Sequence, residues 1–198
     1  CECDSRHIET DTETEWVHPP ELLTRETVPY LWAAYDQVRP RVQTVQDDRT
    51  HGSSWLSVRA LETLRDEAAL AVEGDSTQGE RSGDDWDGLA SLARRLRDSR
   101  PSMAVLENRI NRAMFAACEE RTVKAVQRSA RGAIEQAVGA NREAARSAAD
   151  KLPDRIGTVS RSGTVETALR TARPAAALVA ESRPGGEGIG VAEALATM

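Results

Sequence analysis

A mainly α-helical bundle followed by the opening βαβα units of a parallel α/β sheet is the fold class this sequence predicts, and three observations predict it. Leu56, Ala60, Leu61, Leu64, Ala68 and Ala71 form an apolar stripe at helical spacing, opposite Arg59, Glu62, Arg65 and Asp66. A second helical stripe runs through Leu106, Ile110, Met114, Ala117, Val126, Ala130, Ile134, Ala137 and Ala145. Beyond Pro153, short apolar runs alternate with helical ones, the pattern of strands joined by helical crossovers.

Residues 1–40 read as the tail of a preceding domain. Cys1-Glu2-Cys3 resembles the interior of a strand, and Glu15-Trp16-Val17 is a short extended run ended by His18-Pro19-Pro20, because Pro-Pro continues neither a sheet ladder nor a helix. Glu21 to Leu23 and then Val28 to Val38 follow, with Val28, Leu31, Trp32 and Tyr35 at helical spacing, and Arg39-Pro40 closes the unit. A strand and a helix of this size bury too little to stand alone, so they are expected to pack on polypeptide upstream.

Residues 45–150 read as the helical domain. The first helix opens at a Gly52-Ser53-Ser54 cap; residues 73–88, with no apolar side chain between Val72 and Trp86, read as a solvated loop, and Leu89 to Leu96 return to helix. Ser99-Arg100-Pro101 starts the next helix, since proline in a first turn gives up no needed hydrogen bond. The stripe beyond it makes one long helix or two successive ones. In residues 151–198, Ile156 to Val159 is a strand, Ser160-Arg161-Ser162-Gly163 a polar turn and Val165 to Ala172 a helix. Ala176 to Ala180 is a second strand, Ser182 to Gly190 a Gly-rich loop, and Val191 to Ala196 the opening of a further helix. Two strands do not complete a parallel sheet and the first residue is Cys1, so the sequence reads as a truncated fragment of a longer chain.

Bulk properties narrow the function classes. At 198 residues and 39% hydrophobic, the chain has enough apolar surface for a packed core. The formal charge of −6 repels a phosphate backbone and argues against direct nucleic-acid binding. No apolar run approaches the roughly 18 residues of a membrane span, and no signal peptide is evident, so a cytoplasmic protein without a membrane partner is expected. Cys1, Cys3 and Cys118 have neither zinc-site spacing nor an even disulfide count, and His7, His18 and His51 are scattered, so no metal is expected.

Chemistry is concentrated where a parallel sheet would place it. The turn after a strand points the free N–H groups of the next helix at a ligand, which favours phosphate or carboxylate. Ser160, Arg161, Ser162 and Gly163 occupy that turn, where they suit a phosphorylated sugar and serve equally as ordinary helix caps. Arg183, in the loop Glu181-Ser182-Arg183-Pro184 after the second strand, either joins that site or pairs with Glu181. No nucleophile is accompanied by a base in the manner of acyl transfer or hydrolysis, so no catalytic residue is assigned. The glycines of Gly185-Gly186-Glu187-Gly188-Ile189-Gly190 follow the second strand, whereas a dinucleotide fingerprint belongs after the first, and no cofactor is expected.

Residues 154–196, from Asp154-Arg155-Ile156-Gly157-Thr158-Val159-Ser160-Arg161-Ser162 through Glu181-Ser182-Arg183-Pro184 to Gly188 and Ala192 to Leu195, resemble the first Rossmann-like strands of the initiation factor 2B alpha/beta/delta family. That family includes regulatory subunits of a guanine nucleotide exchange factor and the methylthioribose-1-phosphate and ribose-1,5-bisphosphate isomerases. His51-Gly52-Ser53-Ser54 is similar to its small-residue sugar-phosphate loop, and Arg100-Pro101-Ser102 to an Arg-Pro-Thr helix start. The resemblance implies that Gly52, Ser53, Arg100, Arg183 and the Ser160 to Gly163 turn converge on one anion site between the helical domain and the sheet. It also sets Ser160 where the isomerases carry a catalytic cysteine, and a hydroxyl is a far weaker proton donor than a thiol. The isomerases' later aspartate and Asn-Lys pair fall beyond Met198. A non-catalytic regulatory or ligand-sensing protein is therefore expected, binding a phosphorylated sugar or nucleotide and partnered by a second copy or an initiation-factor-like protein. The alternative is an aldose–ketose isomerase of a phosphorylated pentose. Glu13-Thr14-Glu15-Trp16-Val17-His18-Pro19-Pro20-Glu21-Leu22-Leu23 resembles the last strand and helix of a Nudix hydrolase domain, which implies a fusion.

Overall fold

A computed structural model of the chain describes residues 15–27, 30–77, 85–159, 161–183 and 185–197. After a short 3-10 helix, Pro19–Leu23, come α1 (Leu31–Val38), α2 (Val42–Asp47), α3 (Ser53–Thr77), α4 (Trp86–Asp98), α5 (Ala104–Ala117) and α6 (Val123–Ala149). The α/β part then runs β1 (Arg155–Val159), α7 (Gly163–Ala172), β2 (Ala176–Ala180) and α8 (Glu187–Ala196). The fold is mostly helical with one small parallel sheet among the described residues.

α3 is the axis of the bundle, packing on α4, α5 and α6. Its stripe of Leu56, Ala60, Leu61, Leu64 and Ala68 is fully buried and meets Leu96 of α4, Leu106 and Ile110 of α5, and Val126 and Ala130 of α6 in a single core. The helix continues to Thr77, five residues into the segment expected to be a loop. Once five turns are nucleated, each further residue adds a hydrogen bond, and a glycine such as Gly74 costs only about 1 kcal/mol.

α5 begins at Ala104 and not at Pro101, because Pro101 and Ser102 are spent in a turn closed by the Met103 N–H on the Arg100 carbonyl, 2.9 Å. The following apolar stripe divides into two helices. The Arg121 N–H closes α5 on the Ala117 carbonyl at 2.9 Å with Arg121 in the left-handed region (φ 50), and Thr122 caps α6 by accepting from the Ala125 N–H at 3.1 Å.

The N-terminal segment differs most from expectation. Glu15-Trp16-Val17 is not paired as a strand. Pro19-Pro20 instead opens the 3-10 helix, with Glu21 reaching back to accept from the His18 N–H at 3.2 Å. That helix packs on α3 of the same chain, with His18 3.6 Å from Glu135 and Glu21 3.6 Å from Arg131 on α6. Cys1 to Thr14 lie outside the described residues.

Side chains rather than apolar area fasten α1 to α3. The Tyr35 hydroxyl donates to Asp66 Oδ2 at 2.8 Å and accepts from Arg65 Nη2 at 3.2 Å, while Arg65 Nε donates to Asp66 Oδ1 at 2.8 Å. Asp66 is wholly buried and Arg65 is 4% exposed, so each charge depends on the other. Arg39, at the end of α1, adds an ion pair to Glu67 at 2.8 Å. Burial and the Asp66 carboxylate both push the Tyr35 phenol well above its ordinary value, so it stays a donor.

β1 and β2 pair in parallel, from Arg155 against Ala176 to Val159 against Ala180. α7 packs on α6 and meets α8, so the α/β part rests on the bundle through α7, with Leu169 and Val191 buried. Leu178 and Val159 point outward, 78% and 73% exposed.

The buried network yields the first test. Asp66→Ala leaves Arg65 desolvated without a carboxylate partner and should cost roughly 3–5 kcal/mol, whereas Tyr35→Phe removes one hydroxyl and should cost about 1–3 kcal/mol. Urea unfolding measures both, and a loss under about 1 kcal/mol for Asp66→Ala contradicts the network.

Candidate functional site

The first turns of α3 and α7 line the same cleft, about 660 Å³ in volume, with α6 as its third wall. Gly52, Ser53, Ser54, Trp55, Arg59 and Glu62 come from the start of α3, Asn141 and Arg142 from α6, and Arg161, Ser162, Gly163, Thr164 and Thr167 from the β1–α7 turn and α7. By helix geometry the first N–H groups of each helix have no intrahelical acceptor and carry partial positive charge, so two such ends in one cleft favour an anion.

The chain enters α3 through a polar knot. The Asp48 carboxylate accepts from the Thr50 N–H at 2.9 Å, the His51 N–H at 2.7 Å and the His51 ring Nδ1 at 2.7 Å. Burial alone would raise this carboxyl, but those bonds outweigh it and hold the group down at about 2. The His51 ring stacks on Trp55, centroids 3.8 Å apart and planes 13° from parallel, and Arg59 lies 5.1 Å from the Trp55 ring centre. Within the cleft, Arg59 Nη2 is 2.9 Å from Glu62 Oε1, while Arg59 Nε is buried with no hydrogen-bond partner among the described residues. Burial raises the Glu62 carboxyl above its ordinary range, with Arg59 and Arg65 opposing. Asn141 Nδ2 donates to Ser54 Oγ at 2.6 Å, joining α6 to the first turn of α3.

Arg161 spans the cleft's edge. Its Nη1 donates to the Thr50 carbonyl at 2.6 Å, and among the described residues it forms no ion pair with a carboxylate. The backbones are close here as well: a Cβ on Gly52 would lie 3.7 Å from the Arg161 carbonyl oxygen. Ser162 Oγ accepts from the Val165 N–H at 3.4 Å, so Ser162 caps α7 while lining the cleft.

Of the residues singled out from the sequence, Gly52, Ser53, Arg161, Ser162 and Gly163 therefore meet around one cleft. Ser160 and Pro184 lie outside the described residues. Arg100 and Arg183 are not brought to it. The Arg100 Nη1 donates to the carbonyls of Asp48 at 2.7 Å and Gln46 at 3.3 Å, which bind the guanidinium to the knot's outer side. Arg183 pairs with Glu181 at 3.0 Å, its side chain 82% exposed. Arg59, Glu62, Asn141 and Arg142 were passed over. Arg59 and Glu62 read as the solvated face of an amphipathic helix, and only packing against α6 and α7 turns that face into a wall. Asn141 offered one signal, a lone amide in a run of small residues.

The model of the initiation factor 2 subunit family matches residues 49–198, which include both helix starts and the whole α/β part. The chain belongs to that family. Residues 13–23, with their Nudix-like resemblance, lie outside the matched span. Among solved structures, this family member is similar to the Pyrococcus horikoshii OT3 translation initiation factor eIF-2B, with a TM-score of 0.64 and 24% identity. The likeness covers 79% of this chain and 54% of that one, so the chain spans about half of the Pyrococcus protein's length, and at this identity the likeness is one of fold. No curated protein matches the chain. Among the described residues no cluster of His, Cys, Asp or Glu is placed to hold a metal ion, and no helix is long and apolar enough to cross a membrane.

The Asp48 knot sets a pH dependence. Its folded value, about 2, lies below the ordinary 3.8, so its stabilisation is fully present above pH 3.8 and is lost as pH falls through 2. Asp48→Asn should lower the melting temperature at neutral pH, and the gap to the wild type should close between those two values. A gap independent of pH in thermal melts contradicts the assignment.

Proposed function

We propose that this member of the initiation factor 2 subunit family is a cytoplasmic, non-catalytic regulatory or ligand-sensing protein whose cleft takes a phosphorylated sugar or nucleotide. It would act with a second copy or an initiation-factor-like partner. The observation that carries the reading is Arg161, a guanidinium at the edge of a cleft lined by two helix starts, satisfied by one carbonyl and by no carboxylate among the described residues. A phosphate oxygen is a stronger acceptor than a carbonyl, and guanidinium matches its geometry. The hydroxyls of Ser53, Thr164 and Thr167 and the Asn141 amide suit a sugar ring.

Calorimetry with ribose 5-phosphate tests the reading. One charge-assisted bond contributes roughly 1.5–3 kcal/mol, so Arg161→Ala should weaken binding about tenfold or more. Arg183→Ala should leave it within about twofold, since that side chain is paired elsewhere. Wild-type affinity in the Arg161 variant would contradict the proposal.

One observation favours the isomerase alternative. Aldose–ketose exchange needs a group that removes a proton from one carbon and returns one to its neighbour, and Glu62 lines the cleft as a half-buried carboxyl, raised above its ordinary range by that burial, which suits it to carrying protons. Turnover of ribose 1,5-bisphosphate that is lost in Glu62→Gln would favour this second reading; the regulatory one expects no turnover.

A further inference from the structure

The glycine run after β2 has a physical explanation, and one of its members bears on the cleft. Gly186 takes a left-handed conformation (φ 66) at the start of α8, which suits glycine. At Gly188 a Cβ would overlap the Ala180 carbonyl oxygen, so this glycine lets the first turn of α8 sit against the end of β2. Gly190 differs from both. Its φ is ordinary and its hypothetical Cβ would meet no backbone, but that atom would lie 2.8 Å from Arg161 Nη2. The guanidinium thus occupies the space where a side chain at position 190 would begin.

Arg161 is thereby anchored at one nitrogen and given room at the other. Nη1 is drawn to the Thr50 carbonyl in front of α3, and Nη2 lies over the bare Cα of Gly190 in α8. Ordinary contact between carbon and nitrogen requires roughly 3.5 Å, so any β-carbon at 190 would push the guanidinium by roughly 0.5–1 Å. Binding groups must be held within about 0.5 Å of their productive position, and Arg161 has no carboxylate partner among the described residues to restore it.

We propose that Gly190 is a positioning residue for the cleft: by lacking a side chain it seats the Arg161 guanidinium at the cleft's edge, so that α8 sets the affinity of a site it does not line. This rests on the reading of the cleft as an anion site. The consequence is selective. The displaced atom is the far end of a flexible side chain and alanine is the better helix former, so Gly190→Ala should fold at least as well as the wild type. A β-carbon at Gly188, by contrast, meets backbone and should destabilise.

The test combines calorimetry with ribose 5-phosphate and side-chain NMR of the Arg161 guanidinium, on the full chain. Gly190→Ala should weaken binding at least about fivefold, a loss of about 1 kcal/mol, without lowering the melting temperature. In an Arg161→Ala background the same substitution should change nothing, because the group it displaces is gone. The Arg161 guanidinium protons, slowed in exchange by the Thr50 carbonyl, should shift and exchange faster in Gly190→Ala. If Arg161→Ala weakens binding and Gly190→Ala does not, the positioning role is overturned and the anion site stands. If neither substitution weakens binding, the anion-site reading fails. Unaltered Arg161 signals in Gly190→Ala overturn the positioning role whatever the ligand result.

Discussion

Burial of one stripe on α3 fixes how that helix is rotated, and most of what the cleft presents depends on that rotation. Leu56, Ala60, Leu61 and Leu64 are fully buried among α4, α5 and α6, so turning the helix by even one residue would expose leucine and bury charge. With the stripe held, Ser53, Trp55, Arg59 and Glu62 have no choice of direction and come to line the cleft. The same rotation puts Asp66 inward, where it is tolerable only because Arg65 and the Tyr35 hydroxyl meet it. A single packing decision therefore sets both the polar lining at one end of α3 and the buried ion network that receives α1.

The second constraint is the seating of the α/β part on the bundle. α7 packs along α6, and at its first turn Arg161 reaches the Thr50 carbonyl. Thr50 belongs to the knot organised by Asp48, which Arg100 also grips from the far side. Arginines from two distant parts of the chain thus hold the short segment that leads into α3. Arg161 also lies over Gly190, and in the role proposed for that glycine the position of α8 reaches the cleft through one side chain.

Periodicity made the bundle and the β-α-β-α order legible in the sequence, since both express local rules: a buried stripe at 3.6 spacing and apolar runs between turns. The stripe from Leu56 to Ala71 and the strand Ala176 to Ala180 are seen as expected. Local rules failed where a tertiary partner overrode them. Pro101 looked like a helix start, but Arg100 is tied to the α2–α3 connection and the turn is used there. Glu15 to Val17 looked like a strand, yet it has no strand to pair with among the described residues, and the prolines after it find the bundle instead. For the cleft, Gly52, Ser53 and the Arg161 to Gly163 turn were visible as cap-like small and polar residues. Arg100 and Arg183 misled because a sequence shows that an arginine is present and not which acceptor lies nearest. Gly190 could not have been found from spacing at all, since its meaning is the space it leaves for Arg161.

The cleft between the starts of α3 and α7, with Arg161 at its edge, is proposed to bind an anion. A crystal structure of the protein with ribose 5-phosphate tests it most directly. The expected result is a phosphate within hydrogen-bond distance of the Arg161 guanidinium and the first N–H groups of α7, with Arg161 still bonded to the Thr50 carbonyl through Nη1. A phosphate bound elsewhere, with the cleft filled by solvent, would contradict this reading.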